Sequence, residues 1–233
     1  MNNPIHSASV STSSEAIKMQ EKLAILLALI AGFIDATGFI KWKTYVSFMS
    51  GNTTQLGAAL FAGKPGIIIT SITVIGCFFL GIYTGTCLSL WKKMRLKTFP
   101  FIIVAAILVL YTLATCYFNL SAILSIAIIG FATGIMNTIV TAVGSQKVNT
   151  DFVTGTLNSL ARNTAMMRMT EDATARKQYK ARALHLLLVW LGFLSGAGAV
   201  PFTLPFLGVW IMAVPILLLL TCFIIDLNLN FNP

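Results

Sequence analysis

The sequence consists of long hydrophobic blocks separated by short polar stretches. A helix needs about 20 mostly apolar residues to cross the roughly 30 Å hydrocarbon core of a bilayer. Six blocks have about this length, so they predict six transmembrane helices, at residues 23–40, 66–91, 101–118, 122–143, 184–200 and 206–227. Pro201 and Pro205 predict a turn between the last two helices, and Pro215 predicts a kink, because proline lacks the N–H that a helix needs.

Two short polar segments interrupt this pattern, at residues 51–63 and 152–163. The first has 13 residues and would reach only about 20 Å as a helix. Each segment is therefore predicted to form a re-entrant half-helix or one part of a broken span. Ser50 is the expected N-cap of the first, since its hydroxyl can accept a hydrogen bond from a free backbone N–H. Asp151 is expected to cap the second or to pair with Lys147.

Three short motifs recur in the same order about a hundred residues apart. The matching pairs are Gly32-Phe-Ile-Asp35 with Gly134-Ile-Met-Asn137, Ser50-Gly-Asn-Thr53 with Thr154-Gly-Thr-Leu157, and Leu80-Gly-Ile-Tyr-Thr-Gly85 with Leu191-Gly-Phe-Leu-Ser-Gly196. Their offsets of 102, 104 and 111 residues increase along the chain, as loop insertions would make them. Each unit would cross the membrane three times, so the second copy would enter from the opposite face, as in many secondary transporters.

The predicted fold is an all-α integral membrane protein. Its six transmembrane helices would form two inverted three-span repeats, each with a polar break and a short re-entrant half-helix. The predicted regions are a disordered cytoplasmic tail at 1–21, repeats at 22–120 and 121–228, a solvated helix or loop at 164–182 within the second repeat, and a C-terminal tail at 229–233. Glycines spaced by four positions predict close helix packing, in the pairs Gly81/Gly85, Gly130/Gly134 and Gly192/Gly196.

Composition agrees with this class, because 57% of the 233 residues are hydrophobic and only 10% are charged, whereas soluble domains carry about 25% charged residues. The net charge of +9 does not indicate nucleic-acid binding, since the basic residues flank the predicted spans. With six spans, 13 of the 16 lysines and arginines fall on one side. The positive-inside rule predicts that this side, with both termini, is cytoplasmic.

The sequence predicts neither an enzyme nor a cofactor or metal site. It contains no Ser/His/Asp or Cys/His order in register, no phosphate loop and no HExxH motif. The four cysteines lie in apolar runs without metal-ligand spacing, which indicates small buried hydrophobic residues rather than disulfides or zinc ligands. They are Cys77, Cys87, Cys116 and Cys222.

Asp35 is the main candidate for chemistry, because it places a carboxylate inside an apolar run that otherwise resembles a membrane span. A charge there costs several kcal/mol and calls for a reason. Asp35 is predicted to carry protons or bind a coupling cation, to bind a cationic substrate group, or to hydrogen-bond the Ser/Asn/Thr motif as a structural residue. Desolvation favours the neutral form of a carboxyl group, which suits proton coupling.

Other candidate residues lie near the starts and ends of the short segments. Free N–H groups and the helix dipole favour anions at these starts, although the same residues would also serve as caps of an interrupted helix in lipid. Arg162 is predicted as an anion contact or a cytoplasmic-end charge, and Asn137 as a neutral partner of the site or a helix–helix hydrogen bond. His185 is expected at the interface, with pH sensing as the alternative. The candidate residues at the two starts are Ser50, Gly51, Asn52, Thr53, Thr154, Gly155 and Thr156.

Three motifs of the chain resemble a known family. They are Gly32-Phe-Ile-Asp35, Ser47-Phe-Met-Ser-Gly-Asn-Thr53 and Val153-Thr-Gly-Thr-Leu157. They resemble the YoaK family of small bacterial membrane proteins, also called DUF1275 or UPF0700, and the resemblance extends from about Lys22 to Leu227. It implies a six-span protein of the bacterial inner membrane and supplies no substrate.

These observations predict a small secondary transporter of a small polar metabolite or ion, proton-coupled through Asp35. Asp35 and the two half-helix starts are expected to meet in one cavity at the midplane. A passive channel is the second hypothesis, based on the half-helices, and a non-transporting membrane scaffold or sensor is the third. Six spans are few for a lone transporter, so a homodimer is expected. The other expected partners are the lipid bilayer and an unidentified small molecule, without nucleic acid.

Overall fold

The computed structural model describes residues 4–90, 99–139, 142–143, 146–147 and 153–231. Within these ranges the backbone is almost entirely helical. The α-helices are α1 (Pro4–Trp42), α2 (Met49–Phe61), α3 (Pro65–Leu90), α4 (Phe99–Tyr117), α5 (Ala122–Met136), α6 (Val153–Met169), α7 (Ala173–Leu207) and α8 (Ala213–Phe231). A 3-10 helix at Gly208–Met212 joins α7 to α8, and two two-residue strands, β1 (Ala142–Val143) and β2 (Gln146–Lys147), pair antiparallel. The predicted cap at Asp151 lies outside the described residues.

Four helical stretches are long and apolar enough to cross a membrane. They are Ile17–Trp42, Pro65–Leu90, Phe99–Tyr117 and Ala173–Leu227, and the last contains 55 residues and includes both α7 and most of α8. The apolar helix α5 is shorter, since it ends at Met136 with Asn137 as its C-cap rather than continuing to Val143 as predicted. The chain is therefore a helical protein compatible with several membrane crossings.

Helix α1 begins earlier than the sequence pattern suggested. It is continuous from Pro4 to Trp42, so it includes most of the segment that was expected to be a disordered tail. Proline is favoured at the first position of a helix, where its missing N–H breaks no bond. Proline and glycine are the two residues that most disfavour a helix interior, and no further one of either occurs before Gly32.

Helix α7 corrects two further predictions about the second half of the chain, the end of the fifth helix at residue 200 and the turn bounded by Pro201 and Pro205. It starts at Ala173, capped by Asp172, whose carboxylate accepts hydrogen bonds from Thr174 N–H at 2.9 Å and Ala175 N–H at 3.3 Å. It then continues through both Pro201 and Pro205, where a turn was predicted. Neighbouring helices can compensate for the backbone groups that a proline leaves unpaired in a membrane.

The break between the last two helices occurs after these prolines. It lies at Gly208, whose φ of 51° is the left-handed conformation that glycine adopts without strain. The 3-10 helix follows, and α8 starts at Ala213. Pro215 is thus in the first turn of α8, where a missing N–H removes no α-helical hydrogen bond. The kink predicted at Pro215 is replaced by this break at Gly208.

The helices pack in pairs around a main apolar core, and a smaller buried cluster lies between α1 and α7. Helix α1 lies along α7, and α3 lies along α5. The short helices α2 and α6 pack against α3 and α7 respectively, while α4 contacts α5 and α8, and α8 also contacts α1. The largest fully buried side chains are Phe33, Phe101, Leu23, Leu27, Ile30, Ile34, Leu108, Ile126, Ile129, Ile135, Ile211 and Met212.

Glycines allow the two long helix pairs to approach at backbone distance. A Cβ added at Gly81 would fall on the carbonyl oxygen of Phe131, and one at Gly134 would fall on that of Phe78. In the other pair, a Cβ at Gly196 would fall on the carbonyl oxygen of Leu29. The close packing predicted from the glycine spacing is confirmed at these positions.

Candidate functional site

A largely buried, non-helical loop lies between α1 and α2. Residues 43–48, here named the 43–48 loop, connect Trp42 to Met49 without helical structure. Val46 is fully buried, and Ser47 is only 4% exposed. Backbone N–H and C=O groups that are buried away from water need hydrogen-bond partners, and inside a membrane those partners have to come from the protein.

The chain reverses direction at the start of this loop. Lys43 has a φ of 57°, which is uncommon for a residue other than glycine, and its N–H donates to Phe39 O at 3.0 Å. Gly38 leaves room for the loop where it passes α1, since a Cβ at residue 38 would lie 2.9 Å from Thr44 O. The loop therefore folds back onto α1 and brings Val46 next to Asp35.

Asp35 provides the hydrogen-bond acceptor for the second half of the loop. Its Oδ1 atom accepts from Val46 N–H at 2.8 Å and from Ser47 N–H at 2.9 Å, and its side chain is buried. Hydrogen bonds to an ionised carboxylate are stronger than those between neutral groups. Of the three hypotheses for Asp35, these bonds support a structural role as a hydrogen-bond acceptor. They go to Val46 and Ser47, however, and not to the Ser/Asn/Thr motif that begins at Ser50.

Thr133 of α5 satisfies the carbonyl side of the Val46–Ser47 peptide, whose N–H donates to Asp35. Its hydroxyl lies 2.7 Å from Val46 O, and also 3.0 Å from the carbonyl oxygens of Ile129 and Gly130. The sequence reasoning missed this residue. Its only signal was a polar position inside the apolar block at 122–143, and threonine is tolerated there for local reasons, because its hydroxyl can bond the preceding turn of its own helix.

Asn52 completes the set of side chains that hold the loop. It is fully buried, and its Nδ2 donates to Tyr45 O at 2.7 Å. Gly51, beside it, is needed for space, since a Cβ there would lie 2.6 Å from the Phe48 ring. The glycine and asparagine of the Ser-Gly-Asn-Thr motif thus shape the loop.

The first and last residues of that motif have other positions. Ser50 is not the N-cap of α2, because the helix already begins at Met49, and Phe48 occupies the cap position without a side-chain hydrogen bond. Ser50 and Thr53 are both exposed, and the Thr53 hydroxyl donates to Met49 O of its own helix at 2.8 Å. Neither side chain is buried with the 43–48 loop.

The second motif is divided in a similar way. Thr154 and Gly155 are exposed at the start of α6, whereas Thr156 is 8% exposed. Thr156 is the third residue of its motif, as Asn52 is of the first, so the third position is buried in both motifs. Arg162 is exposed on α6, and Asn137 is half-buried as the C-cap of α5. Helix α6 packs along α7, and the predicted convergence of this motif on the Asp35 site stays a prediction.

His185 differs from its predicted setting. It is 5% exposed on α7, and its Nε2 atom has no hydrogen-bond partner in the described part of the chain. Burial of this kind disagrees with a histidine at a wet interface. No group of three or more His, Cys, Asp or Glu side chains that could hold a metal ion occurs within residues that the structure describes.

Comparison with curated proteins and with solved structures gives no match to this chain. A protein-family model does match, with the description "Protein of unknown function (DUF1275)", and the match covers residues 23–225. It includes Asp35, the 43–48 loop, Thr133 and both polar motifs. The chain therefore belongs to the DUF1275 family.

Proposed function

We propose that this protein is a small secondary transporter of a small polar metabolite or ion, coupled to protons through Asp35. The observation that carries the proposal is the pair of hydrogen bonds from Val46 and Ser47 to Asp35 Oδ1. A buried carboxylate is costly in a membrane helix and marks a functional site by default. Here the charge also holds a loop, so the charge on Asp35 and the conformation of the loop are linked.

The coupling follows from the chemistry of the carboxyl group. The ionised form accepts both N–H groups strongly, and protonation weakens that acceptor. Of the side-chain hydrogen bonds to the 43–48 loop described above, those from Thr133 and Asn52 to its carbonyl groups would then remain. A change in protonation can bias two arrangements of the loop, and a transporter needs two arrangements that open on different sides.

The helix contacts support an inverted-repeat architecture for this transporter. If α1–α4 correspond to α5–α8, the contact of α1 with α7 corresponds to that of α5 with α3. The contacts of α2 with α3 and of α8 with α1 likewise have counterparts in those of α6 with α7 and of α4 with α5. Secondary transporters with this plan place broken helices and their substrate near the midplane.

The glycine contacts support the same correspondence in atomic detail. A Cβ at Gly134 would fall on Phe78 O, and a Cβ at Gly32 would fall on Phe193 O. Gly32 and Gly134 are 102 residues apart, which is the offset found for their motifs. Each half thus presents a glycine of its first long helix to a phenylalanine carbonyl of the other half.

The correspondence also changes the register that was predicted for the third motif. Gly81 meets Phe131 O, and Gly196 meets Leu29 O, so Gly81 corresponds to Gly196. The sequence comparison had paired Gly81 with Gly192 instead. A Cβ at Gly192 would lie 2.9 Å from Ile25 O, one turn away along the same interface. The motif match is therefore displaced by about one helical turn.

The proposed setting is the bacterial inner membrane, with six spans and both termini in the cytoplasm. The supporting observations are the family membership, the apolar helical stretches and the distribution of basic residues. In this arrangement α7 and α8 provide the last two crossings, and α5 provides the fourth. A homodimer remains part of the proposal.

The test is uptake of labelled small metabolites and ions into proteoliposomes, with and without an inward proton gradient. Wild type is compared with Asp35→Asn, in which the amide oxygen can still accept from Val46 and Ser47 but the titratable group is lost. Asp226→Asn is the matched control, since Asp226 is half-buried near the end of α8. Gradient-driven uptake that survives in Asp226→Asn and disappears in Asp35→Asn is the expected result.

Two other outcomes would change the assignment. Uptake that is independent of the gradient in both variants would indicate a passive channel. Absence of flux for every compound in the panel would favour a membrane scaffold or sensor. Normal coupled uptake by Asp35→Asn would contradict the proposed role of Asp35.

A further inference from the structure

His185 places an ionisable side chain at the packed interface between α1 and α7. Its side chain is 5% exposed, and its Nε2 atom has no hydrogen-bond partner in the described part of the chain. A buried polar atom without a partner lowers stability, so this position calls for a physical reason. Histidine can take up a proton within the physiological pH range, and a proton on this ring would place a positive charge between the two helices.

Helices α1 and α7 run parallel where they pack. A Cβ at Gly192 of α7 would lie 2.9 Å from Ile25 O of α1. Four residues further along both helices, a Cβ at Gly196 would fall on Leu29 O. A small buried cluster beside these contacts consists of Ala24, Ala28 and Val189. The part of α7 that precedes Gly192 therefore lies beside the part of α1 that precedes Ile25.

This register places Glu21 opposite His185. On α7 the interface positions 185, 189, 192 and 196 are all buried, and on α1 the positions 25, 28 and 32 pack against α7. Both series have the spacing of a single helix face, and Glu21 lies about one turn before position 25 on the face of α1. The pairs 21–185, 25–189, 28–192 and 32–196 are each separated by 164 positions. Glu21 and His185 are thus the first pair of two facing stripes.

Glu21 provides a negative charge for this ring. It is half-buried, and it acts electrostatically on His185. Helix α7 also contacts α6 and the 3-10 helix, and the 3-10 helix contains no charged residue. Of the other ionisable groups in the same parts of α1, α6 and α7, Tyr179 is half-buried and the charged ones are exposed. The exposed groups are Lys18, Lys22, Arg162, Arg168, Glu171, Asp172, Arg176, Lys177, Lys180 and Arg182.

The equivalent interface in the other half has no such pair. Under the correspondence of the halves proposed above, Glu21 matches Ile123 of α5, and His185 matches Thr70 of α3. The Thr70 hydroxyl donates to carbonyl oxygens of its own helix, at 3.0 and 3.1 Å. Neither α3 nor α5 contains a charged residue. The ionisable pair is therefore a property of the α1–α7 interface, and it lies at one end of it.

We propose that Glu21 and His185 form a proton-dependent ion pair that holds α1 against α7. The proton comes from water at this end of the helices and binds the unprotonated nitrogen of the imidazole ring, so that both ring nitrogens become donors. The imidazolium then pairs with the Glu21 carboxylate, because a buried charge without a partner is strongly destabilising. Acidification on this side, which is the cytoplasm in the proposed orientation, tightens the interface. The inference does not depend on transport activity.

The experiment follows the protonation of His185 directly. The full-length protein in detergent is labelled with carbon-13 in its histidine rings and titrated by NMR. The chain has two histidines, His6 and His185, and His6→Gln identifies the second signal. We expect Glu21→Gln to move the titration midpoint of His185 to lower pH by about one unit or more, since an opposite charge within about 4–6 Å has an effect of this size. Glu171→Gln, which removes an exposed carboxylate from the connection between α6 and α7, should leave the midpoint unchanged.

Amide hydrogen exchange measures whether the pair holds the helices together. After correction for the intrinsic effect of pH, residues 18–24 and 183–188 of wild type should exchange more slowly at pH 6 than at pH 8. This difference should disappear in Glu21→Gln and in His185→Gln. If Glu21→Gln does not fold, Glu21→Asp takes its place, since the shorter side chain draws the carboxylate away from the ring and should move the midpoint in the same direction by less.

The proposal is overturned if the His185 signal does not titrate, or if its midpoint is the same in wild type and in the Glu21 variant. An equal shift in Glu171→Gln would also overturn it, because the effect would then reflect the overall charge and not the facing pair. Exchange that does not depend on pH in wild type, or that keeps its pH dependence in both variants, would show that the pair does not hold α1 against α7.

Discussion

Asp35 of α1 and Thr133 of α5 bind opposite sides of the backbone of one residue, Val46. The carboxylate accepts the Val46 N–H at 2.8 Å, and the threonine hydroxyl lies 2.7 Å from the Val46 carbonyl oxygen. Helix α1 and the 43–48 loop both belong to the first half of the chain and α5 to the second, so the Thr133 bond joins the loop to the other half.

The first prediction concerns the contribution of Asp35 to stability. Asp35→Leu removes the acceptor of two buried N–H groups, and each unpaired group costs about 1–3 kcal/mol. Asp35→Asn keeps an acceptor oxygen and should unfold at a temperature much closer to that of wild type. Thermal unfolding in detergent measures both variants. Equal Tm values for the two would show that the hydrogen bonds to Val46 and Ser47 add no stability.

The second prediction compares two buried threonines. Thr133→Val removes the partner of Val46 O, which should cost about 1–3 kcal/mol. Thr112→Val is the control, since that hydroxyl only donates to Leu108 O in its own helix, at 2.7 Å. We expect a lower Tm and faster amide hydrogen exchange in the 43–48 loop for Thr133→Val alone. A similar decrease in Tm for both variants would mean that the hydrogen bond between Thr133 and Val46 stabilises the protein no more than a bond within one helix.

The third prediction concerns the interface between α3 and α5. Gly81→Ala places a methyl group on the carbonyl oxygen of Phe131, and overpacking of this kind costs about 1–3 kcal/mol or more. Gly76→Ala in the same helix meets nothing within 4 Å and should be neutral or slightly stabilising, because alanine favours helix over glycine by about 1 kcal/mol. The measurement is Tm in detergent, and a neutral Gly81→Ala would be inconsistent with the close approach.

The fourth prediction tests whether the α1–α7 interface behaves in the same way. Gly196→Ala places a methyl group on Leu29 O, while Gly198→Ala meets nothing within 4 Å. If Gly196 corresponds to Gly81, the two alanine variants should lower Tm by similar amounts, and Gly198→Ala should leave it near the wild-type value. A decrease for Gly81→Ala without one for Gly196→Ala would argue against the correspondence of the two halves.

Several features followed from the sequence because they depend on local composition. Long apolar blocks predict helices in lipid whatever their neighbours are, and the glycine pairs predicted close packing that α3 and α5 display. Asp35 stood out because a carboxylate is rare in such a block. Asn52 was found through its motif. These signals need no knowledge of how the helices are arranged.

Other features could not be predicted from local pattern. A polar threonine in an apolar helix is common, and the partner of Thr133 outside its own helix comes from a loop 87 residues away in sequence. Prolines ordinarily end helices, yet α7 continues past Pro201 and Pro205 to Gly208. In a membrane protein, lipid-facing and core-facing residues are both apolar. Hydrophobicity therefore does not identify the face by which a helix packs against another helix.

The sequence alone thus determined the class of protein, the approximate positions of its apolar helices and the identity of the buried carboxylate, because each depends on transfer between water and an apolar phase. The tertiary structure decided which groups Asp35 binds, which residues of the two polar motifs are buried, and which backbone carbonyls the packing glycines meet. Those properties depend on directional hydrogen bonds and backbone contacts between distant segments. Their geometry exists only once the helices have packed.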